Sequence, residues 1–152
     1  MPNFKHHIFV CGNQRPEGHP RGCCDPKAQE TLRSAFKKEI KSRGLWAGAR
    51  ANRAGCLDQC EHGPCVVIYP EGVWYGSVQL GDVSEILVEH VIGGRIVERL
   101  RLPEECINNP HCPHRKETGA RVADWKREMQ AQRRREAEVA QRNSGGGNPE
   151  IV

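Results

Sequence analysis

Residues 65–78, CVVIYPEGVWYGSV, read as two strands joined by a tight turn. Val66 to Tyr69 and Val73 to Tyr75 are β-branched or aromatic, and Pro70-Glu71-Gly72 between them has turn chemistry. A hairpin of this kind needs further strands and a packed layer, and the flanking sequence offers both. Residues 5–10, KHHIFV, form a short apolar strand ending at Cys11, and residues 45–52, LWAGARAN, read as another. Between them Ala28, Leu32, Ala35 or Phe36, and Ile40 recur at helical spacing. Asp25 is placed to cap that helix, Pro26 to occupy its first position, and Gly44 to stop it. Downstream, Asp82 and Glu85 form a capping-box pattern for a helix over residues 83–92, ended by Gly93-Gly94.

The resulting order is strand, helix, strand, strand, strand, helix. It is the element string of a thioredoxin-like α/β fold, a mixed sheet flanked by helices, and it also suits other small α/β domains. With 152 residues, 37% apolar and only 5% aromatic, the chain supports one modest core plus an appendage. The character changes after Leu102. Residues 103–119 are a Pro- and Asn-rich connector, and residues 120–143 are helix formers with an apolar stripe limited to Val122, Trp125 and Met129. The last residues, SGGGNPEIV, read as a flexible end. Residues 1–102 therefore form the expected domain and 103–152 a charged, helical or partly disordered extension.

The net charge of +4 is too mild to demand a nucleic-acid partner. The N-terminus lacks a secretory signal, and no stretch approaches the eighteen apolar residues of a membrane span, so a cytoplasmic protein is expected. There the eight cysteines read as metal or redox groups, since cytosolic thiols stay reduced. Cys11 ends the first strand and Cys24 precedes the expected helix start. Cys56 and Cys60 lie in the loop before the hairpin. In the expected fold these loops are neighbours at one end of the sheet, so four thiolates converge. That is the inventory of a [2Fe–2S] cluster. Helix N–H groups and glycines at 12, 22, 55 and 63 would favour and approach such an anion.

The stretches HHIFVCGNQRPEGHPRGCCD, RANRAGCLDQCEHGPCVVIYPEGVWYG and HVIGGRIVERL resemble the thioredoxin-like [2Fe–2S] ferredoxins of bacteria, relatives of the thioredoxin-like cluster subunit of respiratory complex I. The family pattern is C-x12-C, an interval of about thirty residues, then C-x3-C. Cys11, Cys24, Cys56 and Cys60 match it, and the resemblance spans roughly residues 4–102. It implies a one-electron carrier without substrate chemistry of its own, usually a homodimer, that exchanges electrons with redox partner proteins. Trp74 and Tyr75 would contribute to the dimer interface or else to the core.

A zinc site is the main alternative for these four ligands, in a zinc-binding or scaffold protein acting through its C-terminal extension. Structural zinc favours two close pairs or Cys/His mixtures, and here only one pair is close. No C-x-x-C occurs, so the active pair of a thioredoxin-type reductase is missing. No serine–histidine–acid set, nucleotide loop or paired carboxylate argues for catalysis. Cys23 and Cys65 read as packing thiols. Cys106 and Cys112, beside His111 and His114, make a candidate second metal site or a disulfide. His62, two residues after Cys60, is placed to hydrogen-bond near a cluster.

Overall fold

The computed structural model describes residues 3–26 and 30–144. Four strands form one mixed sheet: β1 (His6–Cys11), β2 (Ala49–Ala54), β3 (Val66–Tyr69) and β4 (Val73–Tyr75), in the order β2-β1-β3-β4. β1 and β2 run parallel, joined through helix α1 (Thr31–Ser42), while β3 is antiparallel to both β1 and β4. The parallel pair needs the helical crossover and the antiparallel pair needs only the turn at 70–72, as the chain order dictates.

The register puts apolar residues of all four strands on one face. Ile8 pairs with Ala51 and Ile68, Val10 with Val66, Val66 with Tyr75, and Ile68 with Val73. Phe36 and Ile40 of α1 close over that face, together with Val83, Ile86 and Leu87 of the second helical segment. That segment is α2 (Asp82–Glu85), which continues as a π-helical stretch, Ile86–Ile92, and is ended by Gly93 and the left-handed Gly94. Tyr75 is fully buried; its hydroxyl meets His90 Nδ1 at 2.8 Å and accepts the Val97 N–H at 3.2 Å. It belongs to the core, as does His90. Trp74 is half-buried on the opposite face, which also carries Phe9 and the exposed Tyr69.

Two expected helix starts differ from the structure. α1 begins at Thr31, because Asp25 accepts the Glu30 N–H at 3.1 Å and Glu30 is left-handed (φ 47°), which breaks the helix backbone there. The helix therefore does not start directly after Cys24. Ala28 of the expected stripe and the expected flexible end from residue 145 lie outside the described residues. Asp82 does not close a capping box: its carboxylate accepts the Gln79 N–H at 2.7 Å, and Glu85 pairs with Arg99.

The extension is more helical than expected. After a short 3₁₀ turn (Glu104–Cys106), a single helix α3 runs from Pro113 to Ser144. Proline is preorganised for the first helical position, which explains the start inside the connector. Arg115, Thr118, Val122, Trp125 and Met129 are half-buried along one stripe, and every later described residue is exposed. No helix among the described residues is long and apolar enough to cross a membrane.

Candidate metal centre

Cys11 closes β1, and its buried thiol is hydrogen-bonded to that of Cys24, on the loop that follows. Cys56 and Cys60 sit between β2 and β3, with sulfurs 3.9 Å apart, and Cys60 opens a 3₁₀ turn (Cys60–His62). Asn13 links the two pairs. The backbone N–H groups of Leu57 and Asn13 donate to the Cys11 sulfur. The Asn13 side-chain amide reaches Cys60 Sγ at 3.8 Å, and the Asp58 N–H donates to Cys56 Sγ at 3.3 Å. Of the four glycines expected to allow close approach, Gly63 does so most directly. A Cβ there would stand 2.7 Å from Cys24 Sγ and 3.4 Å from the Cys60 carbonyl, so a side chain would force the turn off Cys24.

Arg15 was not singled out by spacing, yet its guanidinium lies 3.2 Å from Cys60 Sγ and 4.0 Å from Cys56 Sγ. The signal was a cation inside the loop that links Cys11 to Cys24. Cys65 packs with Cys11 and Cys24, as a packing thiol should, while its thiol donates to the Gln59 carbonyl at 3.1 Å. Cys23 is held aside, accepting the Arg15 N–H at 3.2 Å and donating to the Asn13 carbonyl at 3.0 Å.

The hydrogen bond that the Cys11 thiol donates to Cys24, with burial, pushes the Cys11 thiol up. Cys24 is pushed up to about 12: its bond with Cys11 lowers it, but contact with Cys65 and burial outweigh that. Burial raises Cys60, against the opposing hydrogen bond from Arg15. Buried thiols of this kind ionise when a cation replaces their protons.

The donor set fits a [2Fe–2S] group. The thiols form two pairs that share Asn13 as a neighbour, and two irons with two sulfurs each call for two pairs. Among the described residues the set gathered closely enough for a single ion is a different one, His62, Cys106, Cys112 and His114. Arg15 Nε is buried without a hydrogen-bond partner among the described residues, on the guanidinium that faces Cys60.

The loop of Cys56 and Cys60 is locked by ions. Arg21 pairs with Glu61 (2.5 and 3.0 Å) and with Asp58 (3.0 Å). From α3, Arg115 reaches Asp58 at 2.7 Å and the Thr118 hydroxyl donates to Glu61 at 2.9 Å. His19 and Trp125 rings meet at 4.6 Å. The extension is thus docked on both cysteine-bearing loops. His62 faces Cys112 and His114 rather than the four cysteines, while His111 is exposed and stands outside that set.

Fold and donor set together define a candidate cysteine-thiolate centre on a four-stranded α/β frame. No protein-family profile matches the chain. It is 44% identical over 102 residues to a 2Fe-2S ferredoxin of Clostridium pasteurianum, covering 67% of this chain and all of the relative. It is also 44% identical over 101 residues to a 2Fe-2S ferredoxin of Aquifex aeolicus, covering 66% of this chain and 90% of that one. The crystal structure of the wild-type thioredoxin-like [2Fe-2S] ferredoxin from Aquifex aeolicus superposes with a TM-score of 0.62 at 40% identity, over 66% of this chain and 99% of that chain. The chain belongs to the thioredoxin-like [2Fe–2S] ferredoxins.

Proposed function

We propose that the protein is a cytoplasmic one-electron carrier that holds one [2Fe–2S] cluster through Cys11, Cys24, Cys56 and Cys60. The observation that supports this reading is Asn13, whose backbone N–H donates to Cys11 and whose side-chain amide reaches Cys60, next to the Cys56–Cys60 contact. The cluster supplies a single-electron couple; the chain supplies ligation, N–H···S donors and a recognition surface. Residues 1–102 form the electron-transfer domain and 103–152 an appended arm. The experiment is a reductive titration of the purified full chain followed by electron paramagnetic resonance. About one electron per chain and a signal from a coupled iron pair are expected. Protein without visible absorption and without iron contradicts the reading.

Arg15 tunes that couple. Reduction adds negative charge, which the guanidinium favours, so Arg15→Gln lowers the midpoint potential. A difference of about 1 kcal/mol between the two redox states corresponds to roughly 40 mV for one electron. Voltammetry of both proteins at one pH reads the shift; an unchanged or raised midpoint removes Arg15 from this role.

The redox partner is a protein, and the protein itself works as a homodimer. The sheet face carrying Phe9, Tyr69 and Trp74 is the surface offered to the second copy. Sedimentation at micromolar concentration gives twice the chain mass; monomeric behaviour contradicts the dimer.

A further inference from the structure

We propose that His62, Cys106, Cys112 and His114 bind a single zinc ion that clamps the C-terminal extension to the turn bearing Cys60. The four ligand atoms all lie within 4.8 Å of one another. Cys112 Sγ is 3.7 Å from His62 Nε2 and 3.4 Å from His114 Nδ1. A tetrahedral zinc with ordinary Zn–S and Zn–N bonds sets its sulfur and nitrogen ligands about 3.6 Å apart, so these spacings already suit one ion. A two-iron cluster would instead put histidines and cysteines on opposite irons, too far apart for this set.

The chemistry agrees with the geometry. Two thiolates and two neutral imidazoles form one of the standard structural zinc sets, and the complex is electrically neutral, as a site with two buried cysteines requires. Cys112 Sγ lies within hydrogen-bonding reach of both imidazoles. Zinc binding forms two Zn–S and two Zn–N bonds and releases the remaining thiol protons, with no change of oxidation state.

The ligands come from separate elements. His62 ends the 3₁₀ turn that Cys60 begins, Cys106 ends the connector's own turn, and Cys112 and His114 bracket the start of α3. The support around them is built: Gln59 is nearly fully buried, and its amide is best oriented to donate to the Cys106 carbonyl at 3.1 Å. Arg115 and Thr118 bind the same loop one turn further along. The metal would be the first of a row of attachments that fasten α3 over the cysteine loop.

The test is metal analysis of the full chain, purified without chelator from zinc-replete medium. About one zinc per chain is expected beside the iron, and Cys112→Ser and His114→Ala should each lower zinc at least fivefold while iron and the visible spectrum stay unchanged. Retained colour reports that the variants fold, and His114, being exposed, serves if Cys112→Ser does not. Cobalt(II) added to zinc-stripped protein should give the intense visible bands of a tetrahedral thiolate site, lost in both variants. Absence of zinc together with absence of these bands overturns the proposal. So does a Cys106–Cys112 disulfide in the native protein, or zinc content indifferent to both substitutions. Iron is counted separately, so failure here is distinct from failure of the ferredoxin reading.

Discussion

Cys60→Ala is expected to strip the chain of its cluster, with iron falling from about two to below roughly 0.2 per chain. Cys60 is held on several sides: it lies 3.9 Å from Cys56, accepts from Arg15 and Asn13, and opens the turn that Gly63 seats against Cys24. Its loss leaves one iron with a single protein sulfur. Cys60→Ser is expected to be milder, because an alkoxide is a poorer but usable ligand. Cys106→Ser should leave iron content unchanged, since Cys106 is grouped with His62, Cys112 and His114 rather than with the four cysteines proposed to hold the cluster. Iron determination and visible absorption of the three variants check this. Equal iron loss in Cys60→Ala and Cys106→Ser contradicts the assignment.

Arg21→Ala has the second large effect, on stability. The Glu61 side chain is only 4% exposed and pairs with Arg21 through two oxygens. Removing the guanidinium leaves a buried carboxylate with the Thr118 hydroxyl and the turn backbone, a loss of about 3–5 kcal/mol. The guanidinium midpoint of the far-UV signal at pH 7 should fall accordingly, and amide exchange over the first turns of α3 should quicken. Arg21→Lys restores only part, because an ammonium lacks the two-pronged geometry.

The same pair gives a pH window. Burial raises the Glu61 carboxyl, but Arg21, the turn backbone and Thr118 outweigh it and hold the group at about 2 against an ordinary 4.5. A folded-state value below the unfolded one means stability present above about pH 4.5 and lost as pH falls toward 2. Over that span the loss is about 3 kcal/mol. In Arg21→Ala the loss should shrink; an undiminished one removes the pairing as its cause.

The strands were legible because alternation and turn chemistry are local. Val66 to Tyr69, the turn at 70–72 and Val73 to Tyr75 state their pairing in sequence order, and the register follows from which residues are apolar. The start of α1 was not legible, because Asp25 accepts the Glu30 N–H and Glu30 takes a left-handed conformation that no propensity announces. Spacing and resemblance singled out the four cysteines; in the structure Cys11 contacts Cys24 and Cys56 contacts Cys60. Arg15, the contact of Cys65 with Cys24, and His62 in place of His111 are tertiary facts. His62 and Cys112 are fifty residues apart, and only the docking of α3 brings them to 3.7 Å. The early start of α3 belongs with them: Pro113 permits it, but Arg115 and Thr118 anchor it to residues far upstream.

The central claim is that four cysteines from two loops hold a two-iron, two-sulfide centre. Its most direct test is iron, acid-labile sulfide and zinc analysis of the same anaerobically purified full chain. The account predicts about two iron and two sulfide per chain, in protein with the reddish-brown colour of the cluster. Colourless protein with zinc on Cys11, Cys24, Cys56 and Cys60 and no sulfide would contradict it.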